Sequence, residues 1–170
     1  MKPQKCLYID MDDVVADWRG EAQSYLRRTW EQGKMLPEEE WGKLLNHKRF
    51  YRNLPLFPGA EELIAWAIQY SEKNDLHLAF LTGLPKPKSK IQYAAYDKML
   101  WAQERFPNIP VFFGPYPSDK HHHCHPGDIL IDDRQSNCEE WRAAGGIAHQ
   151  YTTWEKCKAW IYHNLDNTIK

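Results

Sequence analysis

Leu7-Tyr8-Ile9-Asp10-Met11-Asp12-Asp13-Val14-Val15 is the stretch on which the fold of this 170-residue chain turns, an apolar run that ends abruptly in three acids. Read as a strand, its alternation sends Asp10 and Asp12 toward one side of the carboxyl end, where open parallel sheets place ligands. Two carboxylates there repel one another and are costly to desolvate unless a cation or a proton joins them. A divalent metal is the natural partner.

The same costly feature recurs in Asp128-Ile129-Leu130-Ile131-Asp132-Asp133-Arg134, a buried-type strand that closes on a second pair of acids. One such pair is an ordinary turn or helix cap, whereas two in one small domain favour a metal site. Working outward, five apolar runs have strand character, at 6–10, 77–82, 110–114, 128–132 and 146–151. Helical patterns separate most of them. Residues 60–73, after Pro58-Gly59, place Leu63, Ile64, Ala67 and Ile68 on one face, and 91–106 does the same with Ala94, Ala95, Leu100 and Ala102. Shorter helices are expected at 138–144 and 154–164. Strand alternating with helix predicts an α/β fold, a three-layer α/β/α sandwich around a five-stranded parallel, Rossmann-like sheet.

One interval breaks the rhythm. Residues 14–57 separate the first strand from the next helix, look helical, and carry Trp18, Trp30, Trp41, Phe50 and Tyr51. An insertion directly after the acidic strand is well placed to cover the site as a small helical cap, leaving 1–13 and 58–170 as the catalytic core. The plainer alternative is a helical pair that completes the core. Glu38-Glu39-Glu40, after Pro37, reads as a first helical turn, where acids oppose the helix dipole favourably.

Composition narrows the function classes. A hydrophobic content of 42% with eight Trp argues for a folded chain rather than a disordered one. With 22 Lys and Arg against 23 Asp and Glu, there is no electrostatic footprint for duplex nucleic acid or an anionic membrane, so phosphate recognition must be local. Asp10 interrupts the first apolar run too early for a secretory or membrane-spanning segment, and cytoplasmic residence is expected. Cys6, Cys124, Cys138 and Cys157 form no CxxC pair and are read as reduced thiols. The oligomeric state stays open, a homodimer among the options.

Between the two acid pairs, Leu81-Thr82-Gly83 ends its strand with a hydroxyl and a permissive glycine, which suits a phosphate oxygen approached by backbone N–H groups. Lys86, Lys88, Lys90, Lys98 and Lys120 follow, most of them expected on the solvated surface.

The order acid-x-acid, Thr, Lys, Asp-Asp, each at a strand end, resembles the haloacid dehalogenase superfamily of phosphotransferases. Asp10-Met11-Asp12-Asp13-Val14-Val15-Ala16-Asp17-Trp18 is similar to the opening signature of its 5'(3')-deoxyribonucleotidases. Phe50-Tyr51-Arg52-Asn53-Leu54-Pro55-Leu56-Phe57-Pro58-Gly59-Ala60 resembles their segment leading out of the cap, and Asp128 to Arg134 their last acidic strand. Tyr96-Asp97-Lys98-Met99-Leu100-Trp101 and Ser118-Asp119-Lys120 are similar to two further family stretches.

The resemblance implies a phosphomonoesterase in which Asp10 is the nucleophile, forming an aspartyl-phosphate, and Asp12 protonates the leaving alkoxide and then activates water. It implies Mg²⁺ held by Asp10, the backbone carbonyl of Asp12 and Asp133, with Asp132 supporting that site from behind. Thr82, Gly83 and a lysine would hold the phosphoryl oxygens; Lys120 is favoured, and Lys98 also matches a family position. Trp18 and Phe50 stand where an aromatic substrate pocket is expected, although packing of the cap on the core is a competing role for both. The implied substrate is a small phosphomonoester, a nucleoside 5'- or 3'-monophosphate with deoxynucleotides preferred, and the alternative is another one such as a sugar phosphate. A receiver-type phosphoacceptor domain fits less well, because no strand-ending Asp lies between Asp13 and Thr82.

Two features stand apart. Asp13 replaces the family's glycine, and a turn or capping role is the expected one. His121-His122-His123-Cys124-His125 looks like a metal-ligand cluster, but adjacent residues do not readily converge on one tetrahedral ion, so an exposed loop is expected.

Overall fold

The computed structural model describes residues 4–32, 34, 36–44, 47, 49–86, 91–166 and 168; Lys88 and Lys90 lie outside the described residues. Five strands form one parallel sheet: β1 (Cys6–Ile9), β2 (His77–Thr82), β3 (Val111–Phe113), β4 (Ile129–Asp132) and β5 (Ile147–Gln150). Their order is β3-β2-β1-β4-β5. The middle strand is β1, with Ile9 in register between Phe80 and Ile131. The order reverses between β1 and β4, and the crevice at such a switch point lies outside the carboxyl ends of the strands. Asp10 and Asp132-Asp133 therefore face each other there, although they are remote in sequence.

Among the described residues there are six α-helices: α1 (Trp18–Leu26), α2 (Glu38–Leu44), α3 (Ala60–Asn74), α4 (Ala94–Arg105), α5 (Gln135–Ala143) and α6 (Trp154–Asn164). Period-two alternation divides the core. Leu7, Ile9, Phe80, Ile129 and Ile131 point into the cluster built with α3, α4 and α6. Leu81, Leu130 and Ala148 point the other way, onto Cys138 and Trp141 of α5, where Tyr8 meets Trp141 edge-on at 5.4 Å. Helices on both faces complete the sandwich that strand–helix alternation predicts.

Two helix faces differ from the sequence expectation. On α3 the buried residues are Ala60, Leu63, Ile64, Trp66, Ala67, Tyr70 and Ser71, and Ile68 is exposed, because the helix presents its 63–67–70 stripe to the sheet. The buried face of α4 includes the charged pair Asp97 and Lys98 beside Trp101, while Leu100 is only partly buried. Burying a charge is tolerated only where it is paired, so α4 carries polar function on its inner face.

The 14–57 segment leaves and returns through paired backbone. The Asp17 N–H donates to the Pro55 carbonyl and the Phe57 N–H to the Val15 carbonyl, both at 2.9 Å, with a bridge between Ala16 and Leu56. Between these ends lie α1, α2 and a 3-10 turn at Tyr51–Asn53. No helix among the described residues is long and apolar enough to cross a membrane.

One core group should report on acid. The His149 ring stacks on Trp160 at 4.7 Å, and its Nε2 is buried with no hydrogen-bond partner among the described residues. Burial, with help from the Arg142 charge, pushes its pKa from 6.5 down to about 4. Between those values the unfolded chain binds a proton that the folded one refuses, so stability falls as pH drops through that window. Thermal melts of His149→Phe between pH 7 and pH 4 should show a flatter acid limb than the wild type; identical limbs would exclude His149 as the group responsible.

Candidate active site

Asp10 follows β1 directly. Its N–H donates to the Ile131 carbonyl at 2.9 Å, and its Oδ1 accepts from the Met11 N–H at 2.8 Å. The chain then folds back tightly, with the N–H groups of Val14, Val15 and Ala16 all converging on the Met11 carbonyl. That turn needs a residue with positive φ, and Asp13 supplies it at 59°. Glycine does so without strain, and Asp is among the few side chains tolerated there. The Asp13 carboxylate also accepts from the Arg19 N–H at 2.7 Å in the first turn of α1, whose N-cap is Asp17, so Asp13 faces inward where an outward turn or cap is the expectation. It lines the site cavity, and burial raises its pKa to about 7.

Both candidate lysines reach the site, each fully buried and each bridging two groups. Lys120, on a 3-10 turn at Pro117–His123, places Nζ 2.7 Å from Asp10 Oδ1 and 2.6 Å from Asp132 Oδ2. Lys98, on α4, places Nζ 2.6 Å from Asp12 Oδ2 and 2.8 Å from Thr82 Oγ1. Gly83 permits this assembly, since a Cβ there would stand 2.7 Å from the Pro117 ring and push the Lys120 turn away from β2.

Asp132 is saturated. Besides Lys120, it accepts from the Arg134 N–H at 2.9 Å and from the Asn137 amide at 3.0 Å. Asn137 was not singled out in the sequence; its signal is that it shares the buried stripe of α5 with Cys138 and Trp141.

Carboxylate oxygens of Asp10, Asp132 and Asp133 lie within 4.8 Å of one another, all buried, and they are the only grouping of three or more potential metal ligands among the described residues. Burial, reinforced by Asp132, Asp10 and Asp13, holds the Asp133 carboxyl well above the usual carboxylate range. Burial likewise raises Asp10 to about 6, against the pull of Lys120. On Lys120, burial opposes the charge but Asp10 and Asp132 outweigh it, and the ammonium is held above its ordinary range. An all-oxygen, acid-rich set whose carboxyls resist ionisation for want of positive charge fits a hard divalent cation. The histidines do not converge in this way. His121 Nδ1 faces the Ser118 carbonyl at 2.9 Å, and His123 Nε2 faces that of Phe113 at 3.0 Å.

A cavity of about 500 Å³ opens over these groups. Its wall includes Trp18, Leu36, Trp41 and Tyr51 from the 14–57 segment, with Leu84, Pro85 and Pro117 opposite, while Lys34, Lys86 and Arg134 also border it. Trp18 is in that wall, in contact with Trp30, Trp41 and Phe50 at ring separations of 5.6–6.1 Å. Phe50 is not. It lies buried behind Trp18, and the adjacent Tyr51 takes the lining position, because the 3-10 turn rotates successive side chains apart.

No protein-family model matches the chain, and no curated protein sequence matches it. Among solved structures, a hydrolase from Streptococcus pneumoniae TIGR4 superposes with a TM-score of 0.52 at 13% identity, over 95% of this chain and 99% of that one. A Thermotoga maritima protein provisionally described as a beta-phosphoglucomutase aligns with a TM-score of 0.45 at 19% identity, over 88% of each chain. The likeness is one of fold, an α/β architecture with a five-stranded parallel sheet and helices on both faces.

Proposed function

We propose that this protein is a Mg²⁺-dependent phosphomonoesterase that hydrolyses nucleoside monophosphates, deoxyribonucleotides by preference, through an aspartyl-phosphate on Asp10. The observation that carries this reading is the pair of buried lysine bridges, Lys120 to Asp10 and Lys98 to Asp12 and Thr82, holding two carboxylates that line one aromatic-walled cavity. A nucleophile, an acid–base group and phosphoryl-binding cations are the parts that phosphate ester cleavage needs.

Asp10 attacks phosphorus, and the ester oxygen departs with a proton from Asp12. Water then attacks the phosphoaspartate, Asp12 takes its proton, and inorganic phosphate leaves with Asp10 restored. Lys120, Thr82 and the backbone at Gly83 hold the phosphoryl oxygens. The residues that would hold Mg²⁺ are Asp10, Asp133 and the Asp12 carbonyl, and the bound ion supplies charge that offsets carboxylate–phosphate repulsion. Asp132, already committed to Lys120, Asn137 and the Arg134 N–H, steadies that arrangement.

The aromatic lining of Trp18, Trp41 and Tyr51 supports a nucleobase as the leaving group's distal part. A sugar phosphate remains the second reading, supported by Asp13, Lys34 and Arg134 as polar partners for hydroxyl groups. A phosphate-release panel of ribo- and deoxyribonucleoside 5'- and 3'-monophosphates beside sugar phosphates, in Mg²⁺ and in EDTA, separates the two. Release from nucleotides only with Mg²⁺ is expected, and silence on every nucleotide would promote the sugar phosphates. Trp18→Leu should lower kcat/KM for a nucleotide by roughly tenfold or more, the worth of one base stack, while barely affecting glycerol phosphate. Equal losses on both would remove Trp18 from base recognition.

A further inference from the structure

Beyond the phosphoryl-binding role open to both lysines, we infer that Lys98 is a positioning residue for Asp12, fixing the carboxyl group that protonates the departing oxygen; this rests on the phosphomonoesterase reading above. The two bridges are not equivalent. Lys120 ties the nucleophile to the acidic strand β4, whereas Lys98 touches neither Asp10 nor β4 in any contact among the described residues and instead ties Asp12 to the end of β2.

Its effect on Asp12 is specific to one oxygen. Oδ2 is held by Lys98 at 2.6 Å, while Oδ1 is buried and has no hydrogen-bond partner among the described residues. A carboxyl group clamped through one oxygen keeps a single rotamer, and here the other oxygen carries no competing hydrogen bond among the described residues. General acid catalysis demands this, because proton transfer depends on heavy-atom approach within hydrogen-bond distance.

Lys98 is itself immobilised from several sides. It is only 1% exposed, its ammonium stands 5.0 Å from the centre of the Tyr51 ring, and Thr82 Oγ1 takes a second of its donors. The helix beneath it is pinned to the 14–57 segment. Arg49 pairs with the fully buried Asp97 and lies near the Tyr93 and Tyr96 rings, Arg52 pairs with Glu104, and the Trp101 indole donates to the Leu54 carbonyl at 2.7 Å. The 14–57 segment thus fixes the acid–base group from behind as well as walling the cavity.

Leaving groups distinguish positioning of an acid from binding of phosphate. An alkoxide leaves poorly without a proton, whereas 4-nitrophenolate leaves well unaided, so loss of a positioned acid penalises only the former. Lys98→Met should lower kcat/KM about 100-fold or more on an alkyl phosphomonoester, in line with the usual worth of general acid catalysis, and less than about tenfold on 4-nitrophenyl phosphate. In an Asp12→Asn background the same change should cost little more, since the group it positions is gone. Lys98→Gln, which keeps a donor for Thr82 and fills the site, must show the same split if Lys98→Met does not fold. Equal losses on both substrates would make Lys98 a phosphate ligand or a structural residue and overturn the inference, as would full activity on both. Absence of phosphate release by the wild-type protein from any substrate would instead overturn the phosphomonoesterase reading, and the inference with it.

Discussion

Asp10→Asn is expected to reduce phosphate release from every phosphomonoester by at least about 10⁴-fold, the scale of removing a catalytic nucleophile. An amide does not form the phosphoenzyme, and nothing else in the cavity replaces it. Asp12 has one oxygen on Lys98, Asp132 has both oxygens occupied, and Asp13 has one oxygen on the Arg19 N–H. The fold should survive. The amide oxygen still accepts from the Met11 N–H, Lys120 keeps Asp132, and a carboxyl that burial disfavours in its charged form has been removed. The measurement is a single-turnover assay in Mg²⁺ beside a thermal melt. Retention of more than about a hundredth of wild-type turnover in a folded variant would move the nucleophile elsewhere.

Lys120→Met should have the largest effect on stability, because its ammonium is buried between two carboxylates with contacts of 2.6 and 2.7 Å. Removing it leaves Asp10 and Asp132 facing each other in a cation-poor interior, and breaking a buried pair in this way costs about 3–5 kcal/mol. For a domain of this size that corresponds to a fall in Tm of roughly 6–20 °C. Adding Asp132→Asn should recover part of the loss, since it removes one of the stranded charges while Asn137 and the Arg134 N–H retain an oxygen to contact. A thermal or denaturant melt reads both variants. A Tm within about 2 °C of the wild type for Lys120→Met would show that the ammonium is not the charge that holds these carboxylates.

The strands were legible because parallel strands are short apolar runs, and three of them, β1, β2 and β4, run into a chemically expensive residue that packing alone does not require. Asp10, Thr82 and Asp132-Asp133 owe their visibility to that rule. The lysines were harder. Whether Lys98 points inward depends on the phase of α4, and the run of alanines and Leu100 suggested a purely apolar inner face, while the structure buries Asp97 and Lys98 there. Lys120 sits on a short 3-10 turn, which has no periodicity to read. Phe50 and Tyr51 differ by one residue in a turn of the same kind, and only coordinates decide which of them faces the cavity. Asp13 is clear in retrospect, since a positive φ explains both the family's glycine and the acid found here. Arg49 and Arg52 carried no signal, because ion pairs across 48 and 52 positions leave none in a single sequence.

The central place of β1 bears on how the molecule comes into being on the ribosome. β1 precedes both of its neighbours in the chain and waits longest for the second, because β4 lies far downstream; the Cys6 N–H finds the Asp128 carboxylate across 122 positions. Until that partner has been synthesised, Asp10 lacks the Ile131 carbonyl that receives its N–H, and Asp132-Asp133 do not yet exist. A nascent chain therefore holds the Asp10 carboxylate in water. The buried acidic cluster is assembled in one late step, when β4 pairs with β1.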